Sequence, residues 1–134
     1  MPNRNERPFL VIFQIGLRIQ HLNQRLESRT GISLTQWALL QELVPHPGIS
    51  PLQLSERLGV QPSTMTPALA RLERKGLVFV GKDPKDGRKK AISLTRKGKE
   101  TIDAAERLVI SWRDRLGVDR EELIRLRDSL DRLD

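Results

Sequence analysis

Along the first thirty residues the apolar positions Ile12, Ile15, Ile19, Leu22 and Leu26 alternate steps of three and four. That spacing draws one stripe down a helix and predicts a helix from Phe9 to about Ser28. A second stripe, Leu10, Phe13 and Leu17, lies beside it. A helix with two apolar stripes has two surfaces to cover, its own domain and a neighbouring subunit; an ordinary buried helix is the alternative. Residues 1–8 are polar and proline-flanked, which predicts a mobile start.

Thr30-Gly31 ends this first helix, with Gly31 as a left-handed cap. Ser33 and Gln36 then form a capping-box pattern, and Ile32 can staple to Trp37 across it. The second helix runs to about Val44 with Trp37, Leu40 and Leu43 facing in, and Pro45-His46-Pro47-Gly48 stops it. Ser50-Pro51-Leu52-Gln53 repeats the start signal, with Ile49 stapled to Leu54. This third helix is short and ends at Leu58-Gly59. A turn, Gly59-Val60-Gln61, leads to a fourth helix that continues to about Lys75. A short helix, a glycine-containing turn and a second helix make a helix-turn-helix pattern. Met65, Leu69 and Leu72 form the inward stripe of the fourth helix; Gln61, Ser63, Thr64, Thr66, Ala68, Arg71 and Arg74 form its outer face. Pro67 conflicts with a start at Ser63 and suits a start at Thr66, so a bent or late helix start is expected.

Leu77–Val80 and Lys90–Leu94 read as two strands. The segment between them, Gly81 to Lys89, is too long for a tight hairpin and too basic to be buried, so it is read as a wing. Thr95 caps a helix whose seam is Ile102, Ala105, Val109, Trp112 and Leu116, and Gly117 closes it. Asp119 and Glu122 form a third capping-box pattern, with Val118 stapling to Leu123. The last helix carries Leu123, Leu126, Leu130 and Leu133 and runs to the terminus. The pattern is mainly α with a small β-wing: a winged helix-turn-helix with terminal helices forming a dimerisation lobe. Residues 1–134 read as a single domain, with a DNA-binding lobe at 33–95 and dimerisation helices at 9–28 and 96–134. Seams at both ends favour an intertwined homodimer through Ile12, Ile15, Ile19, Val109, Trp112, Leu123, Leu126 and Leu130.

Charge sharpens this picture. The chain of 134 residues has a net charge of +7, and residues 61–99 alone carry +8. All the excess positive charge therefore sits on the fourth helix, the wing and the start of the fifth helix. A concentrated basic patch beside a helix and a hairpin is the footprint of a polyanion partner, double-stranded DNA above all. The residues expected to meet it are Gln61, Ser63, Thr64, Thr66, Arg71, Arg74, Lys82, Lys85, Arg88 and Lys89. Small polar groups let the backbone approach a groove, while the arginines reach further. A solvated basic face, or a winged-helix module that contacts protein without sequence-specific DNA binding, is the alternative.

The chain has no cysteine, which removes disulfides, cysteine-based zinc sites and thiol sensing. Its two histidines, His21 and His46, stand in no metal-ligand spacing. No phosphate loop or nucleophile-elbow pattern occurs, so neither an enzyme nor a cofactor is expected. The apolar run Phe9–Phe13 is too short to span a membrane, and a cytoplasmic protein is expected.

At this point the sequence resembles the MarR family of bacterial winged-helix transcriptional regulators, over about Phe9 to Leu133. The resemblance is carried by Ile32-Ser33 with Gln36-Trp37, by Leu54 to Gly59, by Ser63-Thr64 and Thr66, and by Leu72 to Val78. Asp83-Pro84, Asp86-Gly87-Arg88, Leu94-Thr95 and Gly98 complete it. It implies that the fourth helix enters the major groove and that Arg88 enters the adjacent minor groove, oriented by a salt bridge from Asp86. A two-fold dimer calls for a palindromic operator, and a repressor role is expected. The resemblance also implies a pocket for a small aromatic or phenolic anion near Phe13, Leu17, His21 and Trp37. Plain core or surface roles are the alternative for those four. The sequence departs from the family pattern twice: Val80-Gly81 stand where an arginine is common, and Pro67 stands where a basic residue is usual.

Overall fold

A computed structural model describes residues 7–133. Most of the expected mobile start lies outside those residues. In chain order the described residues form α1 (Pro8–Thr30), α2 (Leu34–Leu43), α3 (Pro51–Leu58), α4 (Pro62–Arg74), β1 (Val78–Lys82), β2 (Lys90–Leu94), α5 (Arg96–Leu116) and α6 (Arg120–Asp131). The strands pair antiparallel, from Val78 opposite Leu94 to Lys82 opposite Lys90. Ile49 joins the far edge of β2 through a bridge to Ile92, so the loop before α3 is tied to the wing.

Local chemistry explains the helix starts. The Ser33 hydroxyl accepts from the Gln36 amide and the Gln36 carboxamide accepts from the Ser33 amide, each at 3.2 Å. Ser50 and Gln53 repeat the box at the start of α3. Each N-cap of this kind contributes about 1 kcal/mol. Thr95 caps α5 by accepting from the Gly98 amide at 3.0 Å. The third expected box does not form: Asp119 occupies the N-cap of α6 without a side-chain bond. The α6 start is exposed, so its free amides are open to solvent.

Helix α4 begins earlier than the sequence suggested. Pro62 takes the first helical position, Gln61 is the N-cap, and Pro67 lies inside the helix. The missing Pro67 amide deprives the Ser63 carbonyl of its helical donor. The Thr66 hydroxyl turns back to the Pro62 carbonyl at 3.0 Å and closes part of that first turn. Strand β1 starts one residue later than expected and runs on to Lys82. Helix α6 stops at Asp131, so Leu133 lies beyond it.

The core sits inside the helix-turn-helix and wing. Leu39, Leu40, Leu43, Leu54, Met65, Leu72 and Ile92 are all buried, with Leu26 of α1 and Ile102 and Ala105 of α5 closing over them. Each large side chain buried this way contributes about 1.5–3 kcal/mol. Ala68 belongs to this core and not to the outer face of α4. The terminal helices are different. Leu26 is the one buried residue of the 23 in α1, and α6 buries none. Ile15, Ile19, Leu123, Leu126 and Leu130 are exposed in the single chain, and Ile12 is half-buried. Val109 and Trp112 pack partly against the chain's own core. The expected α5 seam is thus divided: Ile102 and Ala105 face inward, away from any partner.

Gly98 lets the first turn of α5 pass close against the backbone that follows α4. A Cβ at this position would lie 2.1 Å from the Leu77 carbonyl oxygen. Gly98→Ala should therefore destabilise the chain by about 1–3 kcal/mol. Pro67→Ala should act in the opposite direction, by about 2 kcal/mol, because it restores the missing amide at an exposed site. Urea unfolding followed by circular dichroism checks both, as opposite shifts of the midpoint.

Candidate nucleic-acid interface

The helix-turn-helix presents α4 with its apolar stripe down and its polar face out. All the residues expected to meet DNA are exposed: Gln61, Ser63, Thr64, Thr66, Arg71 and Arg74 on α4, and Lys82, Lys85, Arg88 and Lys89 on the wing. The first turn of α4 carries no acidic residue and no side-chain cap. Its positive end is therefore open to an anion, beside short side chains that leave room for one. The long basic residues Arg71 and Arg74 sit in the last turn, and neither makes an ion pair among the described residues.

The wing tip is held by its own backbone and aspartates. The Asp83 amide donates to the Lys89 carbonyl at 2.9 Å, and the Lys89 amide donates to the Asp86 carbonyl at 3.0 Å. Asp83 Oδ1 accepts from the Lys85 amide at 2.8 Å, and Asp86 Oδ1 accepts from the Arg88 amide at 3.1 Å. The expected Asp86–Arg88 salt bridge is thus replaced by a contact to the main chain. An aspartate side chain reaches the amide two residues on and forms a turn of its own. Asp86 shapes the loop that carries Arg88, and the guanidinium stays exposed.

Two clefts flank this face. One, of about 570 Å³, separates the start of α3 at Ser50 and Gln53 from Arg88, Lys89 and Lys90 on the wing. The other, of about 390 Å³, separates Ser63, Thr64 and Arg71 of α4 from Asn23, Ser33 and Thr35 at the α1–α2 corner. Sequence reasoning did not single out Asn23, Thr35, Ser50 or Lys90 for this face. Lys90 was legible as part of the basic run. Asn23 gave no signal, because its role is a contact across eleven residues: its Oδ1 accepts from the Leu34 amide at 2.7 Å.

Neither of these clefts is lined by Phe13, Leu17, His21 or Trp37, the four residues expected to form an effector pocket. Phe13, Leu17 and His21 are exposed along one side of α1. Trp37 packs partly against the core, and its Nε1 is shut off from solvent with no hydrogen-bond partner. The apolar hollow of about 480 Å³ between α2, β2 and α5 is bounded by Leu43, Val44, Leu94, Lys99, Ile102 and Asp103, and by none of those four. No described helix is long and apolar enough to cross a membrane.

Comparison with known proteins agrees with this geometry. The MarR family model matches residues 32–90, the span of the helix-turn-helix and most of the wing. An HTH-type transcriptional regulator of Mycobacterium bovis is 31% identical over 101 residues, covering 73% of this chain and 71% of that protein. The S. aureus MepR–DNA complex has a similar chain, with a TM-score of 0.80 at 21% identity, covering 96% of this chain and 97% of that one. CouR from Rhodococcus jostii RHA1, solved with p-coumaroyl-CoA, gives a TM-score of 0.75 at 22% identity, covering 97% and 93%. The two solved structures establish the fold, and the family model and the mycobacterial relative establish the kinship: the chain belongs to the MarR family of transcriptional regulators.

Proposed function

We propose that this DNA-binding regulator acts as a homodimeric repressor on a palindromic operator and is released by a small aromatic or phenolic ligand. The observation that carries the reading is the exposure of the polar and basic side chains of α4 and the wing, with one cleft beside α4 and another beside the wing. In this reading residues 33–95 form the DNA-binding lobe and the helices on either side form the dimer lobe. Helix α4 lies in the major groove with Ser63, Thr64 and Thr66 nearest the bases. Arg71, Arg74, Lys82, Lys85 and Lys89 meet phosphates, which fix register and supply affinity. Arg88 reaches the minor groove, where a narrow A·T-rich stretch concentrates negative potential and favours a guanidinium. MepR has been solved on DNA and CouR with a ligand, which supports both halves of the reading.

Dimerisation follows from the exposed seams. A 23-residue helix that buries one side chain in its own chain gains little from folding alone. Covering Phe13, Ile15, Leu17 and Ile19 with a second copy removes that deficit. Ile19→Asp or Leu126→Asp should dissociate or unfold the protein, because an unpaired buried carboxylate costs several kcal/mol, on the order of 3–5. Sedimentation at micromolar concentration checks it; a wild-type chain that sediments as a folded monomer would sink the idea. A two-fold dimer presents its recognition helices about one DNA turn apart, roughly 34 Å. Equal affinity for a full site and an isolated half-site would count against the palindrome.

Sequencing the duplex fragments the protein retains at physiological salt tests the function as a whole. On such a fragment, Arg88→Ala should weaken specific binding by about 1–3 kcal/mol with fold and dimer intact. Lys85→Ala should cost less, act alike on all sequences and lower the salt slope by about one. Equal shifts for the two variants on A·T-rich and G·C-rich flanks would reduce Arg88 to one more charge on a basic face.

A further inference from the structure

Lys75 belongs to the basic window by sequence, yet it does not face outward with the others. Its Nζ donates to the Gly31 carbonyl at 2.7 Å and to Gln36 Oε1 at 3.1 Å. Gly31 caps the end of α1, and Gln36 is a buried member of the box that starts α2. Lys75 itself is the C-cap of α4, and its carbonyl accepts from Lys97 Nζ at 2.9 Å at the start of α5. One residue therefore ties the end of the recognition helix to α1, α2 and α5. Lys82, Lys85, Lys89 and Lys90 are exposed, whereas Lys75 is half-buried.

The chemistry suits a strut. The last carbonyls of a helix lack donors, and an ammonium there meets both the free oxygen and the negative end of the helix dipole. Two of the three ammonium donors are used on acceptors in two different helices, which fixes the side chain. We propose that Lys75 is a positioning residue: it sets the angle between the recognition helix and α1, and supports DNA binding through that geometry and not as a charge opposite a phosphate. Because α1 carries the proposed dimer seam, the same contact relates the recognition helix to the dimer axis. The proposal rests on the DNA-binding reading above.

A phosphate contact and a strut differ in salt dependence. Lys75→Met should lower affinity for a retained duplex about tenfold and leave the salt slope unchanged. Lys82→Met should lower the slope by about one. In a Gln36→Met background the loss from Lys75→Met should shrink, since one of its two partners is already gone. The wild-type chain gives an independent readout through acetylation by an amine-reactive reagent, followed at each lysine by mass spectrometry. Lys75 should react several-fold more slowly than Lys82, Lys85 and Lys89 in the free protein. Adding the duplex should slow those three and leave Lys75 unchanged.

A slope lowered by one in Lys75→Met, an unchanged affinity in folded Lys75→Met, or protection of Lys75 by DNA overturns the proposal. If Lys75→Met shows no cooperative melt, the wild-type acetylation pattern decides. If the wild-type chain retains no duplex at all, the DNA-binding reading fails first. The acetylation rate of Lys75 in the free protein then shows separately whether the strut exists, and a rate equal to that of the wing lysines removes it.

Discussion

Only the hydrogens of Gly98 separate the first turn of α5 from the Leu77 carbonyl; a Cβ there would lie 2.1 Å from the oxygen. That carbonyl also accepts from the Thr95 amide at 3.1 Å, and the Thr95 hydroxyl donates to the Gly76 carbonyl at 2.6 Å. The chain leaves α4 and enters α5 at one point, and the wing is the loop between these two passes. Val78 departs and Leu94 returns as a paired couple, so the wing's origin is fixed by the same contact. Glu73 adds a further tie by accepting from the Val80 amide at 3.3 Å. Recognition helix, wing and long terminal helix thus radiate from a single joint. Their relative directions are set by backbone packing, which leaves little freedom for any of them to drift alone.

Burial is divided unevenly around that joint. The apolar side chains of α2, α3, α4 and β2 meet one another, so this lobe has a core within one chain. Helices α1 and α6 spend their apolar residues on surfaces that the single chain leaves open. The lobe can hold its shape on local and tertiary contacts, whereas α1 buries only Leu26 and α6 buries no side chain within the single chain. In the proposed homodimer, the geometry between two DNA-binding lobes depends on the least self-sufficient part of the chain. The proposed ligand, held near α1 and Trp37, would act on DNA binding through that geometry without touching DNA. The unpartnered Trp37 Nε1 is a donor within that region.

The parts of the fold legible in the sequence are those decided within a few residues. The boxes at Ser33 and Ser50 are local and form as read. Thr95 at the start of α5 also depends on a donor three residues away. Where the sequence misled, a competing local bond or a distant contact decided. Asp86 stands two residues before Arg88, a spacing that suits either an ion pair or an aspartate turn, and the turn prevails. Pro67 argued for a late helix start, but Pro62 supplies a favourable first position and burial of Met65, Ala68, Leu69 and Leu72 holds the helix through the defect. The Ile49–Ile92 bridge and the inward turn of Lys75 join residues far apart in sequence, and no periodicity reports them.

The same details bear on how the interface divides affinity from specificity. On the face of α4, the Thr66 hydroxyl is spent on the Pro62 carbonyl as a donor, and Pro67 offers neither an amide nor a polar side chain. Pro67 is therefore a poor reader of base edges, and Thr66 keeps only an acceptor and a methyl for them. Ser63 and Thr64 remain near the helix start, and Arg71 and Arg74 remain a turn or more beyond. In the proposed complex, phosphate contacts from the wing and the end of α4 would carry a larger share of the binding free energy, and that share is the salt-sensitive one. In that complex sequence preference would lean on groove shape, with Asp83 and Asp86 bracing the wing tip by turn bonds while the Arg88 side chain is exposed. A loop braced in this way would lose mainly side-chain freedom on entering a narrow groove, because its backbone has already been ordered by folding.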